Sequence, residues 1–361
     1  MRRTRRPPPP LAARPSVSVA VASYNYGHYL RDCVLSALTQ EDVDVDVVIV
    51  DDGSTDHSVQ VAKDLAATDQ RVRLTVHDRN QGHIATFNEA LWEAQGQFVV
   101  KLDSDDMLAP GSLARAARIM LAMPSVGLIY GNPLTFTVSP PSRPRMRVDS
   151  VSFWHGLDWL SIRCRRATNC IMQPEAMLRT AVLRQTDGHR RHLPLTHDLN
   201  LWLRIAAISD VARINGVDQG FYRVHSDSLL KTHFSRYYRD LVERKKAFDD
   251  FFQTLPSSAI EAATLTRLHK QNRRSLAIQA LAQANRLIDD GAHDTDNIED
   301  YVTFALNVYP MAQQLGQWRA LKRRQSPRWQ WDDRHWLAVG PRAMRSISDK
   351  VRSRRWQRFG T

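Results

Sequence analysis

Residues 16–56 read SVSVAVASYNYGHYLRDCVLSALTQEDVDVDVVIVDDGSTD, and this stretch decides the fold. The run VSVAVA after Ser16 is short, apolar and β-rich, and a polar turn at Asn25 to His28 closes it. Leu30, Cys33, Val34, Ala37 and Leu38 then recur at the spacing of an amphipathic helix. A second apolar run, VDVVIV at 45–50, ends in the acidic turn Asp51-Asp52-Gly53-Ser54, and Val59, Ala62, Leu65 and Ala66 restore helical spacing. Working outward, VRLTVH at 72–77 precedes a helix through Ile84, Phe87, Leu91 and Ala94, and FVVKL at 98–102 precedes the most acidic loop of the region. Strands alternating with helices of about a dozen residues predict an α/β protein with a mostly parallel central sheet flanked by helices. Such sheets bind ligands beyond the carboxyl ends of their strands. Ser23 to Asn25, Asp51 and Asp52, and Asp103 to Asp106 should therefore share one rim.

Beyond residue 124 the alternation weakens. VGLIYG at 126–131 reads as a further strand, 139–147 as a Pro- and Arg-rich loop, 173–186 and 197–208 as helices, and 217–224 as a strand. From about 234 to 325 the text is almost wholly helical, with a stripe at Ala277, Ala280, Leu281, Ala284 and Ile288. The expected organisation is a disordered, basic, Pro-rich leader at 1–15, an α/β domain at 16–230, a helical region at 231–325 and a basic Trp/Arg-rich tail at 326–361.

Composition narrows the classes. The 361 residues are 43% apolar, ample for a core, which excludes disorder throughout. The net charge of +12 is concentrated at the ends: residues 1–15 hold five Arg and no acid, residues 311–361 thirteen basic and three acidic side chains. The body between is nearly neutral, so bulk attraction of an anionic partner falls to the tails. Cys33, Cys164 and Cys170 form no even disulfide set and no CxxC pair, which favours buried thiols in a reducing compartment. No apolar run approaches the length of a membrane span, and no signal-peptide core follows the opening MRRTRRPPPP, so export is disfavoured.

Three carboxylates in Asp103-Ser104-Asp105-Asp106 repel one another unless a cation or hydrogen bonds offset them. Oxygen donors at this spacing suit Mg²⁺ or Mn²⁺, which commonly take one or two carboxylates and complete their shell with water and substrate phosphate. A lone DxD is equally a solvated turn or a helix cap, and the Asp51–Asp56 turn or Tyr24 decides nothing alone. Asn80, Gly82 and Asn88 read as loop-shaping and capping residues, Arg79 and Lys101 as solvated cations.

The combination is more specific. VASYNYGHYL, VVIVDDGSTDHS, NQGHIATFNEAL and GQFVVKLDSDDMLAPGSL, in this order and spacing, resemble the nucleotide-sugar-binding half of family 2 glycosyltransferases over residues 16 to about 130. HDLNLWLRIA at 197–206 and FYRVHSDS at 221–228 continue the resemblance more loosely. It implies a GT-A fold and inverting transfer of a sugar from a nucleoside diphosphate to an acceptor hydroxyl. By position Ala22, Tyr24 and Asp52 would line the nucleobase pocket, Asp103 and Ser104 the ribose side, Asp105 a Mn²⁺ or Mg²⁺ ion, and Asp198 would be the catalytic base. His225 sits where some relatives turn a late His toward the metal or diphosphate; an ordinary hydrogen-bonded loop His stands beside that reading. This chain departs from the pattern at Ala22, often Pro, at His197, commonly an acid, and at Asn200, frequently Asp.

The resemblance also implies glycan, lipid-linked or protein acceptors and assembly of a surface polysaccharide, glycolipid or glycoprotein in the cytoplasm. Trp318, Trp329, Trp331, Trp336 and Trp356, mixed with Arg, suit docking at an anionic inner leaflet of the membrane, and equally a helical cap with its arginines in water. Nucleic acid is disfavoured because no reader motif accompanies the charge. The competing readings are a sugar-nucleotide nucleotidyltransferase, for which VASYNYGH lacks a Gly-rich basic phosphate loop, and a scaffold that kept the fold without turnover. No GxGxxG follows the first strand and no GKS or GKT occurs, which disfavours dehydrogenase and P-loop classes.

Overall fold

The computed structural model describes residues 2–4, 13–225, 237–256, 258–290 and 298–326. They fall into two compact units, one of residues 2–160 with 169–225, the other of 161–168 with 237–326. The tail from 327 on, with four of its tryptophans, lies outside the described residues, as do residues 1 and 5–12 of the leader.

The first unit is built on one sheet. Its strands are β1 (Arg2–Thr4), β2 (Ser16–Ser23), β3 (Asp44–Asp51), β4 (Val72–Val76), β5 (Phe98–Asp103), β6 (Met107–Leu108), β7 (Val126–Phe136), β8 (Ser150–Trp154), β9 (Met177–Arg179) and β10 (Asp210–Arg223). The order is β1-β8-β10-β7-β9-β5-β2-β3-β4, with β6 on β10. From β5 to β4 every pair is parallel, and β7 and β10 are parallel as well; β9 joins the two sections antiparallel to both neighbours. Covered on both faces, β2, β3 and β5 are runs of buried Val, Ile, Leu and Phe. The helices are α1 (Gly27–Leu38), α2 (Ser58–Thr68), α3 (His83–Glu93), α4 (Ser112–Ala122), the start of α5 (Gly156–Arg166), whose residues 161–166 count with the second unit, α6 (Thr180–Leu183) and α7 (His197–Ile208). The α1 stripe of Leu30, Cys33, Val34, Ala37 and Leu38 is buried as its spacing predicts.

Two parts of the sequence reading are corrected here. Residues 173–186 are not one helix: β9 and the four-residue α6 occupy them, because Met177–Arg179 serve as the antiparallel strand between β5 and β7. Lys101 is not solvated; it is 4% exposed, inside β5. Within the basic leader Arg2–Thr4 pairs with β8, and Arg3 Nε donates to Ser150 Oγ at 2.8 Å. All three cysteines are buried thiols outside any disulfide.

The second unit contains α8 (Tyr237–Thr254), α9 (Ala262–Asp290), α10 (Ile298–Val308), a 3₁₀ turn (Pro310–Gln314) and α11 (Gly316–Gln325). Ala277, Ala280, Leu281 and Ala284 form its buried seam, and Arg324 ties α11 to α9 through Asp289 at 2.7 Å. No described helix is long and apolar enough to cross a membrane.

Candidate functional site

The carboxyl ends of β2, β3 and β5 meet at one rim. Ala22 pairs in register with Asp103 on one side and Val50 on the other, and Ser23 pairs with Asp51. Asp51 is fully buried and anchors its turn, with Oδ1 accepting from Ser54 N and Oδ2 from Ser54 Oγ. Asn25, at a left-handed φ of 56°, turns its Oδ1 to Thr55 N and Asp56 N, stitching the loop after β2 to the loop after β3. Tyr24 stands 43% exposed at this edge.

Asp52 is 2% exposed, and its oxygens accept from Gln81 N, Gly82 N and His77 Nδ1 at 2.8–2.9 Å. It holds the loop that opens α3. Burial works to lower the pKa of His77, but its hydrogen bonds to the Asp52 and Glu89 carboxylates overcome it and raise the pKa above the ordinary value. Asn88 is no cap: in the middle of α3 it clips residue 189, donating to its carbonyl and accepting from its amide.

The acidic loop after β5 is held from two sides. Asp106, 1% exposed, accepts from Arg223 N at 2.8 Å, and Arg223 Nε donates to Asp105 O at 2.8 Å. Burial pushes the carboxyls of Asp106 and Asp105 up, and neighbouring acids in the loop push the same way. Asp105 Oδ2 lies 2.9 Å from His225 Nε2, which brings together the two residues expected at a metal. Ser104 is 3% exposed, whereas the Asp103 side chain is about one-third open and receives Lys101 Nζ at 3.1 Å.

Whether a divalent cation fits can be asked of the donors themselves. Among the described residues no three His, Cys, Asp or Glu side chains form a ready-made metal cage. Asp106 Oδ2, buried, has no hydrogen-bond partner among them. One carboxylate beside one imidazole, with an unpartnered carboxylate oxygen on the next residue of the loop, is short of a full shell and of the donor type that suits a hard ion completed by substrate phosphates.

Asp198 is the second residue of α7, partly exposed, with Oδ1 accepting from Leu199 N and Oδ2 from Asn169 Nδ2, each at 2.7 Å. Burial pushes its pKa up to about 6, against the opposing pull of the Leu199 amide, the Lys101 charge and Asn169. Three features escaped the sequence reading. Lys101 Nζ reaches Asp103, Gln173 Oε1 and the Phe87 ring, 3.6 Å from its centroid. Glu175 is 4% exposed, and burial raises its pKa to about 7. His83, His189 and His197 stack with ring centroids 5.3 and 4.4 Å apart, and burial lowers the pKa of all three. Only the lone charge inside the apolar run FVVKL could have flagged the first of these.

Acidic loops gathered on the carboxyl-end rim of a mostly parallel sheet define an α/β protein whose ligand site lies beyond its strand ends. Residues 18–183 match the family model described as Glycosyl transferase family 2. The succinoglycan biosynthesis protein ExoO of Rhizobium meliloti is 40% identical over 108 residues, 30% of this chain and 30% of that protein. The chondroitin synthase of Pasteurella multocida is 26% identical over 204 residues, 56% of this chain and 20% of that protein. Among solved structures, a mannosyltransferase from Pyrobaculum calidifontis in complex with GDP-Man and Mn²⁺ is similar with a TM-score of 0.50 at 20% identity, covering 87% of this chain and 85% of that one. Residues 18–183 are thus a family 2 glycosyltransferase domain, and the fold is of the GT-A type. The matches span less than half the length of these curated relatives.

Proposed function

We propose that this chain is an inverting glycosyltransferase, moving a sugar from a nucleoside diphosphate sugar to an acceptor hydroxyl on a glycan, lipid-linked or protein acceptor. The observation that carries the reading is Asp198, a carboxylate at the start of α7 held by two hydrogen bonds, with a pKa raised to about 6. A base of that strength is ionised at neutral pH yet basic enough to receive a proton in the transition state.

Ala22 and Tyr24 line the nucleobase side of the rim, with Asp52 behind them holding the Gln81–Gly82 wall. Asp103 and Ser104 lie toward the ribose. Asp105 and His225 are the residues that would hold Mn²⁺ or Mg²⁺, which when bound supplies positive charge for the departing diphosphate. Asp198 takes the proton of the acceptor hydroxyl as that oxygen bonds to the anomeric carbon. The bond from this carbon to the phosphate oxygen breaks, and its electron pair leaves with the diphosphate. Attack from the face opposite the leaving group inverts the centre.

Relatives named for succinoglycan and chondroitin synthesis support a place in surface polysaccharide, glycolipid or glycoprotein assembly. The setting we favour is cytoplasmic, with the Trp- and Arg-rich tail at 326–361 reaching an anionic inner membrane face. Asp198→Asn tests the mechanism. With Mn²⁺ and a panel of UDP- and GDP-sugars, transfer should fall at least about a hundredfold while donor affinity is kept. Comparable turnover would assign the proton to another base.

A further inference from the structure

Residues 169–176 run beside both the donor loop and the base, and the segment is clipped to itself. Asn169 Oδ1 accepts from Cys170 N and Ile171 N, Glu175 Oε1 from Met172 N, and Ala176 N donates to Gln173 O. One end of this folded segment holds Asp198 through Asn169 Nδ2 at 2.7 Å. Gln173 Oε1 accepts from Lys101 Nζ, which also binds Asp103 Oδ1 at 3.1 Å. A continuous set of contacts thus runs from Asp103 to Asp198. We propose that Lys101 and residues 169–176 form a clasp that positions the base against the donor loop, with Lys101 and Asn169 as its two anchoring residues. The inference rests on Asp198 being the base.

Two costs tolerated here argue for a role beyond folding. Lys101 is an ammonium buried within the apolar run FVVKL of β5, where a hydrophobic side chain of similar volume is commonly neutral or stabilising. Gln173 sits at φ 103°, a left-handed conformation that is strained for any residue but glycine. The strained residue is the one whose side chain meets the buried cation. Removal of either anchor should loosen the base without emptying the rim.

The test reads Asp198 directly and needs no substrate. The full chain, labelled at the aspartate carboxyl carbon, is titrated by NMR, and Asp198→Asn assigns the resonance. Among the described residues, Lys101 on β5 and Glu175 in the clasp both act on Asp198 by charge. Lys101→Met removes a cation and Asn169→Ala removes a donor to the ionised form, so each should move the midpoint upward from about 6 by about one unit. Lost packing alone would lower the melting temperature and leave the midpoint in place. Asn169 is half-buried, so Asn169→Ala carries the test should Lys101→Met not fold. Midpoints unchanged from wild type would overturn the clasp. An Asp198→Asn enzyme that still transfers sugar would instead remove the assignment of the base and leave these shifts standing, which separates the two failures.

Discussion

As the proposed base, Asp198 would work only while ionised, and its pKa is raised to about 6. Transfer should therefore be level above pH 7 and fall about tenfold per unit below pH 6. A profile of kcat/KM against pH checks this, and a level rate down to pH 5 would contradict it. Glu175 carries the complementary stability effect. Its pKa is raised to about 7 by burial, so the folded state binds a proton more tightly than the unfolded chain. Stability is full below the ordinary carboxyl pKa and declines as pH rises to about 7. Glu175→Gln cannot ionise and keeps the Oε1 that Met172 N uses, so it should be more stable than wild type at pH 8 by about 1–3 kcal/mol. At pH 4 the two should melt together. At this scale the sequence was only partly legible: the acids of the rim announce themselves by clustering, whereas Lys101 reads as solvated until Gln173 and the Phe87 ring are seen against its ammonium.

Elements formed from strong local periodicity were the easiest to read. β2, β3, β5, α1 and α3 lie where the apolar runs and helical stripes put them, because a sheet covered on both faces needs unbroken Val, Ile and Leu. Residues 173–186 misled because Ala176, Met177, Leu178, Ala181, Val182 and Leu183 suit a helix by composition. Pairing with β5 and β7 overrides that preference over Met177–Arg179, a contact between segments far apart in sequence that no local pattern encodes. Asn88 shows the same limit, since its two hydrogen bonds to residue 189 span the chain from 88 to 189. Asn88→Ala leaves that peptide's amide and carbonyl without their partner. It should cost about 1–3 kcal/mol in a denaturant unfolding curve, and a loss near zero would show that water replaces the clip.

Across the whole molecule, charge is segregated: the basic surplus sits in the end segments, while the acidic turns after β3 and β5 share one rim of a nearly neutral body. A nucleoside diphosphate with a divalent cation should stabilise the folded state, by about 3 kcal/mol at a hundred times its Kd, and a thermal-shift screen of nucleotides with and without Mn²⁺ would rank the bases. The central claim is that the Asp103–Asp106 loop with His225 seats a cation bearing the diphosphate. Calorimetric titration of UDP and GDP into the wild-type chain and Asp105→Ala, each with and without Mn²⁺, tests it most directly. The account predicts binding that requires Mn²⁺ and disappears in Asp105→Ala; equal affinity in both proteins, or binding indifferent to the cation, would contradict it.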